Sequence, residues 1–280
     1  MTRLSTLLAL LALILGATPS LAAAMTGDKA VARMVAFGGS CAGCELSGRK
    51  LAGARFMGAD FSGAALVGSD LRGALFHGSV FTGADLSRAD LSESQMMGAS
   101  FARARLTDAD LRRAELNGAT FIAANLSGSD LRDTEGGGAS FASANLSDAR
   151  LDGAELNAVD LSRVNARGAR FDDSELTAAN LQGGRFDGTS FRDAELNHAN
   201  LQGGTFAGAD FRGASLRRAN IAGVDLSKTQ GLTQAQLNQA CGNATTRAPS
   251  GLAVQSCGGR RMSPPTPPAP PVLTFRPSPR

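Results

Sequence analysis

Residues 59–73 of the chain read ADFSG-AALVG-SDLRG, three successive five-residue units with a large apolar residue at the centre of each. The same register continues in both directions. Every fifth residue from Leu46 to Leu226 gives 37 positions, of which 21 are Leu, 12 are Phe, one is Ile and one is Met. The two exceptions are Gly136 and Ala166. A repeat of five residues therefore organises about two thirds of the chain.

A second register lies two residues before each of these centres. From Cys44 to Val224 it contains 23 Ala, and nearly all its other members are also small. A period of five fits neither the 3.6-residue repeat of a helix nor the two-residue repeat of a strand. It fits a chain that points two side chains inward and then turns a corner. Gly stands two residues after the centre in 20 of the 37 units, and a corner with positive φ favours that residue.

Units such as ADLSR at 84–88 and ANLQG at 179–183 carry an A-(D/N)-L-x-x pattern. In this pattern the chain resembles the pentapeptide repeat proteins, and the resemblance covers residues 44–228. It implies an all-β solenoid: a right-handed, quadrilateral β-helix with four pentapeptides in each coil. The repeats then make about nine coils, stacked ~4.8 Å apart in a rod roughly 44 Å long. We expect short helical caps at both ends, because a solenoid with open ends recruits other chains.

The Phe residues of the central register raise a question about continuity. Five of them recur at every fourth unit, which predicts one internal stack: Phe61, Phe81, Phe101, Phe121 and Phe141. The next one, Phe171, follows only after six units, or one and a half coils. Either the stack moves to the opposite side of the rod, or about two units loop out near Ala166. The Glu residues described below keep the step of four units, which favours a continuous rod.

The N-terminal segments have signatures of their own. Residues 1–24 are interpreted as a secretory signal peptide, because a basic residue precedes an apolar run and small residues follow it. We expect cleavage after Ala24 or Ala22, and no transmembrane insertion afterwards. Residues 25–43 are predicted to form the N-terminal cap, with a helix from Asp28 to Phe37.

The C-terminal cap is predicted over residues 229–258, where Thr233 and Gln236 match the pattern of a capping box. Residues 259–280 are rich in Pro and Arg and contain no acidic residue, which predicts a disordered, extended tail. One hypothesis is that this tail tethers the rod to an anionic surface or to a protein groove that binds polyproline; the alternative is a spacer without a partner. The tether would act through Arg260, Arg261, Arg276 and Arg280.

Four cysteines fall in two pairs, Cys41 with Cys44 and Cys241 with Cys257. Export would bring the chain into an oxidising compartment, so we expect both pairs to form structural disulfides. Cys44 occupies a small inward position and could instead remain a buried thiol. A shared zinc site would need the two ends of the rod to meet, and no redox motif context is evident.

An acidic series recurs at every fourth unit and is expected to lie on one side of the rod: Glu115, Glu135, Glu155, Glu175 and Glu195. Carboxylates about 4.8 Å apart repel one another. Such a row of oxygen ligands could hold a hard cation such as Ca²⁺, or it could be a hydrated acidic stripe. We favour the stripe and assign no metal, cofactor-binding or catalytic residue.

Composition and charge restrict the classes of function. The chain has no Trp and no Tyr, which is unusual for an enzyme of 280 residues, and its net charge is only +3. We therefore expect no enzymatic activity and no nucleic-acid partner. The leading hypothesis is a rod-like scaffold or protein-binding module, periplasmic or secreted, acting on an unknown envelope or extracellular protein. Inhibition of topoisomerases by nucleic-acid mimicry, known in this family, needs a strongly acidic surface, whereas the repeat region has 20 basic and 24 acidic residues.

Overall fold

The computed structural model describes residues 28, 38–256 and 261–262. Its body is a solenoid in which nearly every residue that precedes a centre forms a parallel bridge with the corresponding residue four units further on. Ser40 pairs with Asp60, Asp60 with Val80 and Val80 with Ser100, and the series continues to the C-terminal end. One coil therefore contains four pentapeptides, and the chain is an all-β solenoid.

Each pentapeptide contains a corner and a short extended segment. In the unit centred on Phe61, the amide of Ala64 donates to the carbonyl of Phe61 at 3.0 Å, and Gly63 between them has φ of 63°. The extended segments bond to the neighbouring coils, as when the amide of Leu46 donates to the carbonyl of Ala65 at 2.7 Å. Because every coil supplies the partners of the next one, the backbone polar groups are paired while the side chains at the centres stay inside.

All corners from residue 43 to residue 223 have positive φ, including 16 that are not glycine. The latter include Arg88 at 57°, Ala123 at 56° and His198 at 61°. A left-handed conformation costs an L-residue about 1–2 kcal/mol. The coil imposes it nevertheless, because the stacked hydrogen bonds and the buried centres above and below leave no other path for the chain.

The rod has four faces, which we name by their centres. Face A follows the centres 41, 61, 81 and so on to 221; face B follows 46 to 226, face C 51 to 211, and face D 56 to 216. The described centres are buried, and the twelve Phe residues among them are less than 2% exposed. Hydroxyls in the second inward register bond to nearby carbonyls, as Ser69 Oγ does to Leu66 O at 2.8 Å.

The Phe stack changes face without interrupting the solenoid. On face A, Phe121 and Phe141 stack with ring centroids 4.8 Å apart. Below them the stack resumes on the opposite face C, where Phe171 and Phe191 are 5.4 Å apart. The bridges continue through this region, for example from Asn145 to Asn165. The prediction of a continuous rod is therefore confirmed, and the alternative of two units looped out near residue 166 is wrong.

The solenoid begins earlier than the predicted boundary at residue 44. Cys41 occupies a centre on face A with 1% exposure, and Ser40 already bridges to Asp60. Gly38 has the positive φ of a corner. The reason is that a cysteine fills the central position as a small apolar side chain. Of the predicted N-terminal helix only Asp28 lies within the described residues.

The C-terminal end is closed by a short helix, α1, over Gln234–Gln239. Thr233 is its N-cap, and the reciprocal bonds of a capping box join Thr233 and Gln236. The side-chain amide of Gln236 also donates to the carbonyls of Phe211 and Ala214, both at 2.8 Å. These two carbonyls belong to the last regular corner on face C. The carbonyl of Ala214 is one that the backbone of a further coil would otherwise bind, as Asp85 N binds Ala64 O, whereas the carbonyl of Phe211 also accepts from the amide of Ala214.

Beyond the helix, the chain forms further parallel bridges with the last coil at irregular spacing. Two short strands of the chain then pair with each other. Cys241 bridges to Asn220 and Arg247 to Asp225. Strand β1, Val254–Gln255, pairs antiparallel with strand β2, Arg261–Met262. The prediction that the disordered tail starts at residue 259 is wrong for β2, whose backbone supplies partners to the edge of β1. Within the described part of the chain, no helix has the length and hydropathy needed to cross a membrane.

Candidate functional site

The charged side chains of this protein lie on the outside of the rod. Each face presents two columns of outward side chains. The leading column holds the residue before each centre, and the trailing column holds the residue after it. Because each coil contains four pentapeptides, side chains in one column stack directly above one another. A pattern in the sequence that recurs at every fourth unit therefore becomes a ladder on the surface.

Face C carries a charged ladder. Its leading column is mainly acidic in the upper coils and its trailing column mainly basic, and the signs reverse in two of the lower coils. The leading column contains Asp70, Asp90, Asp110, Asp130, Arg150, Arg170, Ser190 and Asp210. The trailing column contains Arg72, Ser92, Arg112, Arg132, Asp152, Asp172, Arg192 and Arg212.

The two columns form ion pairs within the six coils in which both are charged. Arg72 makes two parallel bonds to Asp70, from Nε to Oδ1 at 2.9 Å and from Nη2 to Oδ2 at 2.8 Å. Hydrogen bonding by the Arg72 guanidinium holds the pKa of Asp70 below its ordinary value. Arg112 lowers the pKa of Asp110 in the same way. For Asp130, burial acts to raise the pKa, but the hydrogen bonds from Arg132 outweigh it and the pKa is lowered.

Where the signs reverse, the pairs also connect neighbouring coils. Arg170 Nε donates to Asp152 Oδ1 in the coil above at 3.0 Å, and its Nη2 donates to Asp172 Oδ2 in its own coil at 3.1 Å. Asp172 is 9% exposed and also accepts from Ser190 Oγ and from the backbone amide of Arg192. Charge-assisted bonds therefore join these lower coils to one another.

Asp210 is the most enclosed acid of the ladder whose pKa is displaced. The residue is 7% exposed and lies between the guanidinium groups of Arg192 and Arg212. Hydrogen bonds from Arg212, and then from Arg192, lower the pKa of Asp210 strongly, although burial acts in the opposite direction. Asp210 thus holds two basic side chains as a carboxylate.

The predicted acidic series lies on face D, in the leading column. Parallel bridges connect its five members in order, from Glu115 through Glu195. The side chains are hydrogen-bonded at two points: Gln95 donates to Glu115 at 3.2 Å and Asn157 donates to Glu175 at 2.8 Å. Among the described residues, no group of three or more His, Cys, Asp or Glu side chains could hold a metal ion.

The described cysteines lie at the two ends of the rod. Cys41 and Cys44 are joined by a disulfide that spans the first described corner of face A, with Cα atoms 5.1 Å apart. Cys241 is also disulfide-bonded. Its predicted partner, Cys257, lies outside the described residues. Of the four tail arginines, Arg261 lies in β2, and Arg260, Arg276 and Arg280 lie outside the described residues.

Sequence reasoning missed two features of the surface. One is the charged ladder, whose signal was available as opposite charges on either side of a centre that recur at every fourth unit. The other is a surface without Lys, Arg, Asp or Glu on the trailing column of face D from residue 57 to residue 197 and on the middle of the trailing column of face A. The large apolar side chains of Met97 and Ile122 are 42% and 45% exposed there. The corner between these faces is formed by Gly78, Gly98, Gly118 and Gly138. Because glycine has no side chain, no side chain projects from the corner between the two faces there.

Comparisons with known proteins identify the repeat. The profile of the pentapeptide repeats matches eight copies, over residues 40–78, 59–96, 94–133, 119–157, 154–193 and 194–229. No curated protein matches the chain. Among solved structures, the chain is similar to HetL, a pentapeptide repeat protein involved in heterocyst differentiation regulation from the cyanobacterium Nostoc sp. strain PCC 7120. The two are 29% identical, the match covers 74% of this chain and 90% of HetL, and the TM-score is 0.63.

Two further structures share less with the chain. QnrB1, a plasmid-mediated fluoroquinolone resistance protein, is 20% identical over 74% of this chain and 94% of its own, with a TM-score of 0.37. A pentapeptide repeat protein from the thylakoid lumen of Arabidopsis thaliana is 28% identical over 48% of this chain and 70% of its own, with a TM-score of 0.17.

Proposed function

This chain belongs to the pentapeptide repeat family, and from that premise we propose that it is a non-enzymatic, exported rod that acts as a binding scaffold. The observation that carries the proposal is the separation of core and surface. The centres are filled by Leu and Phe, and the polar side chains are arranged in straight ladders on flat faces. Flat, repetitive faces are suited to binding another macromolecule along their length.

Two observations support export. The first 24 residues combine Arg3, an apolar run and a small-residue cleavage region, as a secretory signal does. The described cysteines, Cys41, Cys44 and Cys241, are all in disulfides. Stable disulfides are typical of proteins outside the cytoplasm. We therefore place the mature rod in the periplasm or outside the cell, with an envelope or extracellular protein as its partner.

Determination of the mature N-terminus tests the proposal of export. The protein is produced with its own leader in a bacterial host, and the cytoplasmic, periplasmic and secreted fractions are separated. We expect a periplasmic or secreted protein that starts at Met25 or at Ala23. A cytoplasmic protein that retains residues 1–24 would disprove export, while a Cys-free cytoplasmic reporter serves as the control for cell lysis.

The proposal of a binding scaffold needs a partner, which crosslinking in the native envelope can identify. We expect one or a few envelope or extracellular proteins to be crosslinked to outward positions of the rod. Competition by the purified rod would then remove the crosslinks. If crosslinking captures no partner while crosslinks within the rod form efficiently, the scaffold proposal fails.

A further inference from the structure

We propose that face C binds face C of a second copy of this chain, with the two rods side by side and pointing in the same direction. The two-fold axis of this dimer runs parallel to the rods. The inference rests on the charged ladder alone. It depends neither on export nor on the identity of an envelope partner, so its failure would leave the proposed function standing.

The first step is a matter of symmetry. A two-fold axis along the rods places the leading column of one copy opposite the trailing column of the other, at the same coil. In six coils both columns of face C are charged, and in each of these the two charges are opposite. In this arrangement every such residue meets an opposite charge: 70 with 72, 110 with 112, 130 with 132, 150 with 152, 170 with 172, and 210 with 212.

The reversal of signs at Arg150 then fixes the register. If one rod slides by a coil, Asp130 faces Asp152 of the second copy, and Arg132 faces Arg150 of the second copy. A ladder of constant sign would tolerate this slip. Like charges placed opposite one another weaken a wrong arrangement, and they therefore select the symmetric one.

An antiparallel dimer fits the pattern less well. Its two-fold axis lies in the interface and is perpendicular to the rods. Each column therefore faces the same column of the second copy, in reverse order. Centred between Asp130 and Arg150, this arrangement matches the middle coils. Towards the ends, however, Asp70 meets Asp210 of the second copy, and the trailing columns oppose Arg72 to Arg212. The parallel dimer has no such conflict.

The side chains have the reach and the donors that the dimer requires. The side chains of Arg112 and Arg212 are 45% and 57% exposed, whereas the side chains of their acidic partners, Asp110 and Asp210, are 28% and 9% exposed. The basic groups therefore stand further from the rod. A guanidinium has five N–H donors, and the hydrogen bonds of Arg112 to Asp110 use Nε and Nη2. Each Arg can thus bridge its own Asp and one on the second copy.

Sedimentation or light scattering tests the dimer directly. At about 20 mM salt we expect twice the mass of one chain, and at about 500 mM salt the mass of one chain, because salt screens charges at an open interface. The measurement uses about 100 µM protein, a concentration at which a weak, transient dimer would be populated. The mass of one chain at low salt would then overturn the proposal. A dimer that is indifferent to salt would also overturn it, because its contact would not be electrostatic.

Two complementary variants give the sharper test. Arg132→Asp makes both outward positions of that coil acidic, and Asp130→Arg makes both basic. Each variant alone should associate less than the unchanged protein, by about tenfold or more in Kd. An equimolar mixture should recover the dimer, since acid then meets base in both columns. The antiparallel arrangement predicts no recovery, because each introduced charge would then face a like charge at Arg150 or Asp152 of the second copy.

Circular dichroism and melting confirm that each variant is folded. If either is not, Arg112→Asp and Asp110→Arg repeat the experiment one coil above. Folded variants that stay monomeric when mixed would refute the interface.

The direction of the rods is measured with a spin label on the exposed Ala52, after its change to Cys. The parallel dimer brings the two labels within about 20 Å, whereas antiparallel rods would separate them by most of the rod's length. The longer distance would overturn the parallel arrangement.

Discussion

The backbone of Gly184 leaves open the space that the ring of Phe186 fills. A Cβ atom at residue 184 would lie 2.5 Å from Cε2 of that ring. The same relationship recurs one coil below, where a Cβ at Gly204 would lie 2.8 Å from Cε2 of Phe206. On face B, therefore, a large centre and the absence of a side chain two residues earlier belong together. Both glycines depart from the Ala that is usual in this register.

Gly184→Ala should destabilise the rod by about 1–3 kcal/mol, because the added methyl overpacks a buried ring. The free energy of unfolding in denaturant measures the effect. The double variant Gly184→Ala/Phe186→Leu is the matched control, since it recreates the Ala-x-Leu unit found elsewhere in the rod. It should be more stable than the single variant. Equal stabilities of the single variant and the unchanged protein would show that the ring can move aside.

The sequence predicts the overall architecture of this fold better than the backbone conformation of its individual corners. The five-residue period predicts the solenoid, the inward registers and the change of face after Phe141, because these follow from the placement of large and small apolar residues. It does not predict that Arg88 and Ala123 share the positive φ of the glycine corners. Local preferences oppose that conformation, and only the stacked coils impose it.

Ala123→Gly should stabilise the protein by about 1 kcal/mol, because glycine adopts positive φ without the steric cost that alanine pays. Ala123 has φ of 56° and is exposed, so little packing is lost. Ala102 lies one position earlier in its own unit and is absent from the residues with positive φ. Ala102→Gly, the control, should lower stability or leave it unchanged. Thermal melting of both variants gives the comparison, and a lower melting temperature for the Ala123 variant would contradict the argument.

The surface ladders differ in how readily the sequence reveals them. The Glu series of face D is visible as one residue type at a fixed step. The ladder of face C mixes Asp, Arg and Ser and reverses its signs, so no single residue type repeats along the whole of either column. Its pairing becomes clear only when the residue between Asp110 and Arg112 is known to point inward, which places the two charged side chains on the same face.

Acid should weaken the rod through face C. Folding lowers the pKa of Asp70, Asp110, Asp130 and Asp210, so the folded state binds fewer protons than the unfolded state. The stabilisation is fully present above the ordinary Asp pKa of about 3.9 and is lost as the pH falls through the lower, folded values. Unfolding free energies measured between pH 6 and pH 2 should therefore fall steeply below about pH 4.

Asp210→Asn should make that acid dependence shallower and should cost about 1–3 kcal/mol at neutral pH, since two guanidinium groups lose their carboxylate. Glu155→Gln on face D is the control, because Glu155 is an exposed member of the acidic stripe. If the unfolding free energy of the Asp210 variant falls with pH as steeply as that of the unchanged protein, Asp210 does not contribute to the acid dependence.

Gln236→Ala should destabilise the C-terminal end by about 1–3 kcal/mol, because the carbonyl of Ala214 would lose its side-chain donor and that of Phe211 would keep only the amide of Ala214. Hydrogen exchange should localise the change to the last coils rather than to the whole rod. Gln239→Ala, in the same helix but exposed, is the control and should have little effect. Uniform loss of protection along the rod would mean that the cap does not act locally.

The tail hypothesis is tested best by a deletion that respects the pairing of β1 with β2. Removal of residues 263–280 leaves Arg261–Met262 in place, so the melting temperature should not change. Removal of residues 259–280 takes away β2 and should lower it slightly. If the tail is a tether, its Arg residues contribute up to about 1 kcal/mol each near an anionic surface, and both deletions should release the rod from an envelope fraction at low salt. Identical partitioning of the full-length and truncated proteins would instead establish the tail as a spacer.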